Sequence, residues 1–223
     1  MKILFNSLVL LISLVSFQIQ ATLIKYDNEA DFNTDIASLS SNTVDFDSLA
    51  AGTLITDGSA IDGITFNYSI FGMNLFADDL FDTTSPANYL GVDSGDGSFI
   101  GGDSFTMSFA AAQTAIGLFI HSADFIFDGD VTLTTNNGLI VELSGNIDTY
   151  LTDGEAYFIG LSTNNPLDAF TSVVLSSINE SFAFNVDDIT IANSTAVPEP
   201  GTGLLMLMAV AGFYFKKQIF KTK

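Results

Sequence analysis

Asp45, Asp47, Asp187 and Asp188 form two acidic pairs, one early and one late in the sequence, and a third acidic run, Asp93-Ser94-Gly95-Asp96-Gly97, lies between them. Short carboxylates suit Ca²⁺, which takes six to eight oxygen ligands. One structural Ca²⁺ is therefore predicted, with Asp45, Asp47, Asp187 and Asp188 as its candidate ligands. The middle run is not an EF-hand loop, because it lacks the ligand at position five and the closing glutamate. Asp-Gly is also ordinary turn chemistry. Successive side chains of a strand point to opposite faces, so at most one of Asp187 and Asp188 is predicted to face a given ion.

Catalytic constellations are scarce. His121 is the single histidine, at the end of a predicted strand, and there is no cysteine. That excludes thiol nucleophiles, thiolate metal sites and disulfides. The imidazole would serve only a serine-type triad, and no Gly-x-Ser-x-Gly elbow is present. No His-Glu-x-x-His, P-loop or dinucleotide fingerprint appears either. A glycoside hydrolase needs only two carboxylates at a suitable separation. With 25 acidic residues ahead of Glu199, that condition selects nothing. The chain is predicted to be non-enzymatic, with a glycan hydrolase as the enzyme alternative. For sugar binding the usual platform is an exposed aromatic face, but Trp is absent and Phe occupies mostly apolar positions of alternating strands, which reads as core. Tyr68, Tyr89, Tyr150 and Tyr157 remain as candidates.

These residues sit in a central region, 22–195, of one domain's length. Against its 25 acids stands Lys25 alone, so its net charge is about −24. Such a surface excludes nucleic-acid and anionic-lipid binding. Of the chain's 21 Phe most fall here, so this is not a disordered acidic tail. Asn28 is placed to cap a short helix carrying Phe32, Ile36 and Leu39 at helical spacing, with Glu29 and Asp31 in its first turn. The period then changes to two. Strands are predicted at 44–47, 64–68, 105–109, 131–134, 139–143, 157–161, 171–178 and 182–191, with 115–120 continuous enough to be buried on both faces. Asn136-Asn137-Gly138 marks a hairpin. The stretch 78–102 reads mostly as a long connection, with a possible short strand at 89–92. About nine or ten short strands predict an all-β antiparallel sandwich, jelly-roll-like, with one short N-terminal helix; immunoglobulin-like topology is the alternative.

Both ends of the chain read as membrane segments. Met1-Lys2, an apolar run over 3–17 and Gln18-Ile19-Gln20-Ala21 compose a secretory signal peptide over 1–21, removed by signal peptidase. At the far end Val197-Pro198-Glu199-Pro200 precedes a wholly apolar run and then Lys216, Lys217, Lys221 and Lys223. Prolines bar a helix before them, so a transmembrane helix is predicted over about 203–215 with a basic tail at 216–223. Lysines after an apolar run hold that end in the cytoplasm, which leaves the preceding domain outside the inner membrane. Even counted from Gly201 the helix is about 15 residues or roughly 22 Å long, against a hydrocarbon core of roughly 30 Å. Such shortness favours a temporary anchor over a permanent one.

Pro198-Glu199-Pro200 with the following helix and basic end, together 196–223, resembles the PEP-CTERM sorting signal of exopolysaccharide-making Gram-negative bacteria, also catalogued as an ice-binding-protein C-terminal domain. The resemblance implies that an exosortase, a membrane-embedded cysteine peptidase, recognises Pro198, Glu199 and Pro200 and removes the tail. It implies a destination at the cell surface or in the extracellular matrix, in biofilm and in contact with exopolysaccharide. The closing stretch Phe184-Asn185-Val186-Asp187-Asp188-Ile189-Thr190-Ile191 resembles the last strand of jelly-roll carbohydrate-binding and lectin-like modules, where an acidic residue often helps hold Ca²⁺. Val44-Asp45-Phe46-Asp47 resembles an early strand of exported PEP-CTERM proteins. These likenesses imply a non-enzymatic matrix component, with a Ca²⁺-dependent lectin-like module as the alternative.

Overall fold

The computed structural model describes residues 23–178 and 181–194. The predicted signal peptide and the predicted segment 196–223 lie outside them. The chain begins with β1 (Leu23–Tyr26) and α1 (Glu29–Ile36), followed by β2 (Ser40–Val44), β3 (Thr53–Ile55), β4 (Ala60–Ile61), β5 (Ile64–Tyr68), β6 (Leu75–Asp78), β7 (Tyr89–Val92) and β8 (Phe99–Ile100). Then come β9 (Ser104–Gln113), β10 (Ala115–Ser122), β11 (Val131–Thr135), β12 (Ile140–Glu142), β13 (Thr149–Tyr150), β14 (Glu155–Thr163), β15 (Phe170–Ser177) and β16 (Ala183–Asn193).

The strands form two antiparallel sheets in a sandwich. One runs β1-β14-β10-β16-β7-β6-β3, with β13 on β14 and with β2 and β8 on β16; the other runs β12-β11-β15-β9-β5-β4. Period-two alternation supplies the core between them. Ile64, Phe66, Phe105, Met107, Leu133 and Leu175 of the second sheet meet Leu90, Ile116, Leu118, Ile120, Ile159 and Val186 of the first in one buried cluster. The central strand is β16, which pairs with β10 along one edge and with β2, β7 and β8 in succession along the other.

β10 is buried along its whole length, as its unbroken apolar run predicts. Its inner face enters the main core. Ala115 and Phe119 on its outer face join Phe158, Ala156 and Ala192 beneath α1, whose Phe32 and Ile36 cover them. Asn28 caps that helix, its side-chain oxygen accepting from Asp31 N at 2.8 Å. The helix ends at Ile36, so Leu39 packs from beyond it. Close approach of the helix depends on Gly117. A Cβ there would lie 2.5 Å from Phe158 Cζ and 2.9 Å from Phe32 Cε1.

The predicted hairpin forms between β11 and β12, and Gly138 takes the left-handed φ of 88° that the turn requires. Three expectations are corrected. The strands number sixteen among the described residues rather than nine or ten, because short pairs such as β3, β4, β8 and β13 add to the long ones. The strand expected at 44–47 ends at Val44, since Phe46 adopts φ 58° and turns its buried ring into the core. The stretch expected to be mostly connection, 78–102, holds β8 as well as β7, and β6 ends at its first residue.

Candidate functional site

Residues 79–88, between β6 and β7, cross the outer face of the first sheet beyond α1. Carboxylates fasten this strap at both ends. Asp82 N donates to both oxygens of Asp153 at 3.1 Å, and Thr152 N donates back to Asp82 Oδ2 at 3.0 Å. At the other end Ala87 N and Asn88 N donate to Asp47 Oδ1 at 3.0 and 2.8 Å. Such charge-assisted bonds to backbone are the strong class of hydrogen bond.

Between these fastenings the strap meets the four aspartates singled out in the sequence. Ser85 Oγ lies 2.8 Å from Asp187 Oδ2, 3.3 Å from the Asp45 carbonyl and 3.5 Å from Asp47 Oδ1. Thr83 also donates to Asp187, and the Thr84 hydroxyl is near enough to Asp188 to favour its charged form. Asp187 and Asp188 thus both reach the strap, contrary to the expected alternation. A bulge explains it. The register with β10 shifts between Gly117 and Phe119, and Asp188 takes φ 50°. A left-handed residue in a bulge redirects the side chain that a regular pleat sends to the far face, and Asp tolerates that conformation better than most residues.

Asp187 is fully buried, and its Oδ1 has no hydrogen-bond partner. Burial, reinforced by the neighbouring Asp188 charge, pushes its carboxyl up from 3.8 to about 7. Burial also raises Asp188, with Glu29, Asp45 and Asp47 adding repulsion. An orphaned, fully buried carboxylate oxygen amid further carboxylates fits a divalent cation. The fit is partial. Among the described residues no three acidic or histidine side chains stand close enough to form a ready ligand set, and Asp47 Oδ1 is already engaged by the strap.

His121 lies beside this cluster, 3 % exposed, with Nε2 3.1 Å from Thr84 Oγ1 and Nδ1 unpartnered. Burial depresses its pKa to about 3, so the imidazole stays neutral. A hydroxyl faces Nε2, but no carboxylate orients Nδ1 as a triad demands.

The tyrosines fare unequally as platforms. Tyr89 and Tyr157 are buried, with hydroxyls on Asp78 Oδ2 at 3.2 Å and Glu155 Oε2 at 2.6 Å. Tyr68 is half-buried and bonds the Ile55 carbonyl at 2.7 Å. Tyr150 alone of the four is exposed. Sequence reasoning missed Phe125 and Phe127, which stand 72 % and 68 % exposed beside a groove lined by Asp128, Asn146 and Tyr157. Their spacing around buried Ile126 was the available signal. Asp93 receives Asn74 N at 2.8 Å, and Asp96 receives Ser94 Oγ at 2.8 Å; the acidic run at 93–97 is turn chemistry.

Residues 196–218 match the PEP-CTERM protein-sorting motif. The chain carries an exosortase sorting signal. That signal implies export and a C-terminal membrane anchor before processing. Its Pro198, Glu199 and Pro200, and the cytoplasmic-end residues Lys216, Lys217, Lys221 and Lys223, lie outside the described residues. Among the described residues no helix is long and apolar enough to cross a membrane. No curated protein matches the sequence. Among solved structures, a xylan-binding domain from CBM 22, formally x6b domain, aligns at 12 % identity over 67 % of this chain and 99 % of that one, with a TM-score of 0.30. A likeness at that score has no weight for function.

Proposed function

We propose that this is a non-enzymatic matrix protein of a Gram-negative bacterium, sorted by exosortase to the cell surface or extracellular matrix, where it associates with exopolysaccharide in biofilm. The sorting motif at 196–218 carries this reading. The domain supports it in two ways. The eight strands β7, β9, β10, β11, β12, β14, β15 and β16 alternate between the sheets except where β11 and β12 pair as a hairpin, an order that favours a jelly roll over the immunoglobulin-like alternative. Phe125 and Phe127 also leave two rings in water, each forgoing about 1.5–3 kcal/mol of burial, beside the polar groups of Asp128 and Asn146. Rings so placed suit stacking on a sugar.

The test has two parts. Intact mass of the protein from its native host should end near Pro198 to Pro200; a species retaining 204–223 would make it a tethered membrane protein and remove the matrix reading. The purified protein should be retained by matrix polysaccharide without releasing reducing ends. Turnover would replace this reading with a glycan hydrolase.

A second reading, a Ca²⁺-dependent lectin-like module, is favoured by the orphaned Asp187 Oδ1. In it Asp187 and Asp188 hold one Ca²⁺, helped by oxygens of the Asp45 and Asp47 turn, and the ion fixes the strap. Retention abolished by chelator and restored by Ca²⁺ would favour the lectin over the scaffold.

A further inference from the structure

Past His121, where Phe81 and Asp82 of the strap meet the first sheet, a pocket of about 120 Å³ opens. Its floor is buried and polar: His121, Ser122, Ser98 and Asn185. With its amide turned end for end, the orientation its neighbours call for, the Asn185 nitrogen donates to the Gly97 and Phe184 carbonyls at 3.1 Å. Phe81 and Leu151 supply apolar wall. Around the mouth stand four exposed carboxylates, Asp82, Asp96, Asp124 and Asp153, drawn from four separate loops.

Each carboxylate is held in place. Asp82 and Asp153 lock each other through the backbone, and Asp124 Oδ2 accepts from Ala183 N at 3.1 Å. Ser94 Oγ and Ser98 N hold Asp96 Oδ1 at 2.8 and 3.4 Å. Hydrogen bonds keep Asp82 and Asp96 below the usual carboxylate range, so both are charged at neutral pH. Among the described residues no cationic side chain lines the pocket. His121 lines the floor, and its Nδ1 lacks a partner.

We propose that this pocket binds one sugar residue bearing a free ammonium group, the repeating unit of a de-N-acetylated polysaccharide. The assignment rests on the glycan-association reading above and specifies its ligand. The ammonium sits among the rim carboxylates, and a hydroxyl of the same residue satisfies His121 Nδ1, which does not repel a cation because the ring is neutral. No three of these acidic or histidine side chains approach closely enough to share one metal ion among the described residues. The volume equals about four waters, enough for the edge of a sugar ring with its substituents. A domain with 25 acids against Lys25 repels uronic-acid polymers and attracts amino-sugar ones.

Calorimetric titration of the full-length chain in detergent with a glucosamine tetramer, an N-acetylglucosamine tetramer and a cellulose tetramer tests this at about 0.15 M salt, where long-range attraction between exposed charges is largely screened. The glucosamine tetramer should bind and the other two should not. Asp124→Asn and Asp96→Asn should each weaken binding about tenfold. Glu142→Gln, on β12 in the other sheet, should leave it unchanged. His121→Ala should weaken it too, with circular dichroism reporting the fold. Equal weakening by Glu142→Gln would show general charge attraction and overturn the site. Binding of the uncharged tetramers, indifferent to Asp124 and Asp96, would overturn the site while leaving glycan association standing. Binding of none of the three, with no retention on matrix polysaccharide, would remove both.

Discussion

Replacing Asp187 by asparagine separates the charge of the buried carboxyl from its shape. In chelator, Asp187 is protonated far more readily in the folded chain than in the unfolded one, about 7 against 3.8. Folding therefore favours the protonated form. The stabilisation this gives is complete below about pH 4 and is lost progressively as pH rises towards 7. A gap of about three pKa units corresponds to roughly 4 kcal/mol at most. The amide of Asp187→Asn cannot ionise, so the variant should match the parent near pH 4 and exceed its stability by up to about 4 kcal/mol at about pH 8. Carboxylates remote from this site titrate alike in both proteins and cancel in the difference, whereas Asp188, coupled to Asp187, loses a repelling neighbour in the variant. With no Trp in the sequence, far-UV circular dichroism in urea is the practical assay. Millimolar Ca²⁺ at the same alkaline pH should reverse the order, stabilising the parent by about 2.7 kcal/mol if present at about a hundred times its dissociation constant, and leaving the variant unmoved. A stability difference that stays constant across this pH range would refute the buried-charge argument. An equal response of both proteins to Ca²⁺ would refute the ion.

Gly117→Ala should cost about 1–3 kcal/mol, read from the urea midpoint, because the new methyl enters the space of the Phe32 and Phe158 rings. Asn28→Ala removes the hydrogen bond to Asp31 N and should lower stability by about 1 kcal/mol, with fraying of α1 seen as faster amide exchange there. Phe125→Ala with Phe127→Ala should cut retention on matrix polysaccharide while changing stability in urea by less than about 0.5 kcal/mol, since both rings are exposed.

Features written into a few adjacent residues were legible in the sequence. The cap at Asn28, the turn at Gly138 and the double burial of β10 each follow from local chemistry or from an apolar run. What escaped depends on one backbone angle or on distant chain. Val44-Asp45-Phe46-Asp47 alternates as a strand should, yet the left-handed φ at Phe46 ends the strand and makes Asp47 a clamp for the strap. The pleat rule separated Asp187 from Asp188, and a bulge set by register with Gly117 undid it. Phe125 and Phe127 carry the residue type of a core, so composition concealed that they face water. The pocket joins residues 82, 96, 124 and 153, and no sequence spacing encodes that meeting.

The acidic surplus takes on a structural meaning once its partners are traced. A domain without cysteine, in a compartment where other small exported folds use disulfides, must fix its long loops by other means. Here carboxylates accept from loop backbone. Asp47 holds 87 and 88, Asp153 holds 82, and Asp82 holds 152. Asp93 holds 74, Asp103 holds 100, Asp128 holds 145 and Asp130 holds 127. Apart from Ile100 at the end of β8, each of these donors is a loop N–H, and Asp is short enough to accept from it without leaving its own turn. The same residue type therefore serves two ends. Used singly, it fastens loops over a rigid sandwich; gathered at the strap and the pocket mouth, it forms the two sites proposed for a cationic ligand. Because the fasteners are the charge, the domain gains its surface potential and its loop order from the same side chains, and neither can be removed without loosening the other.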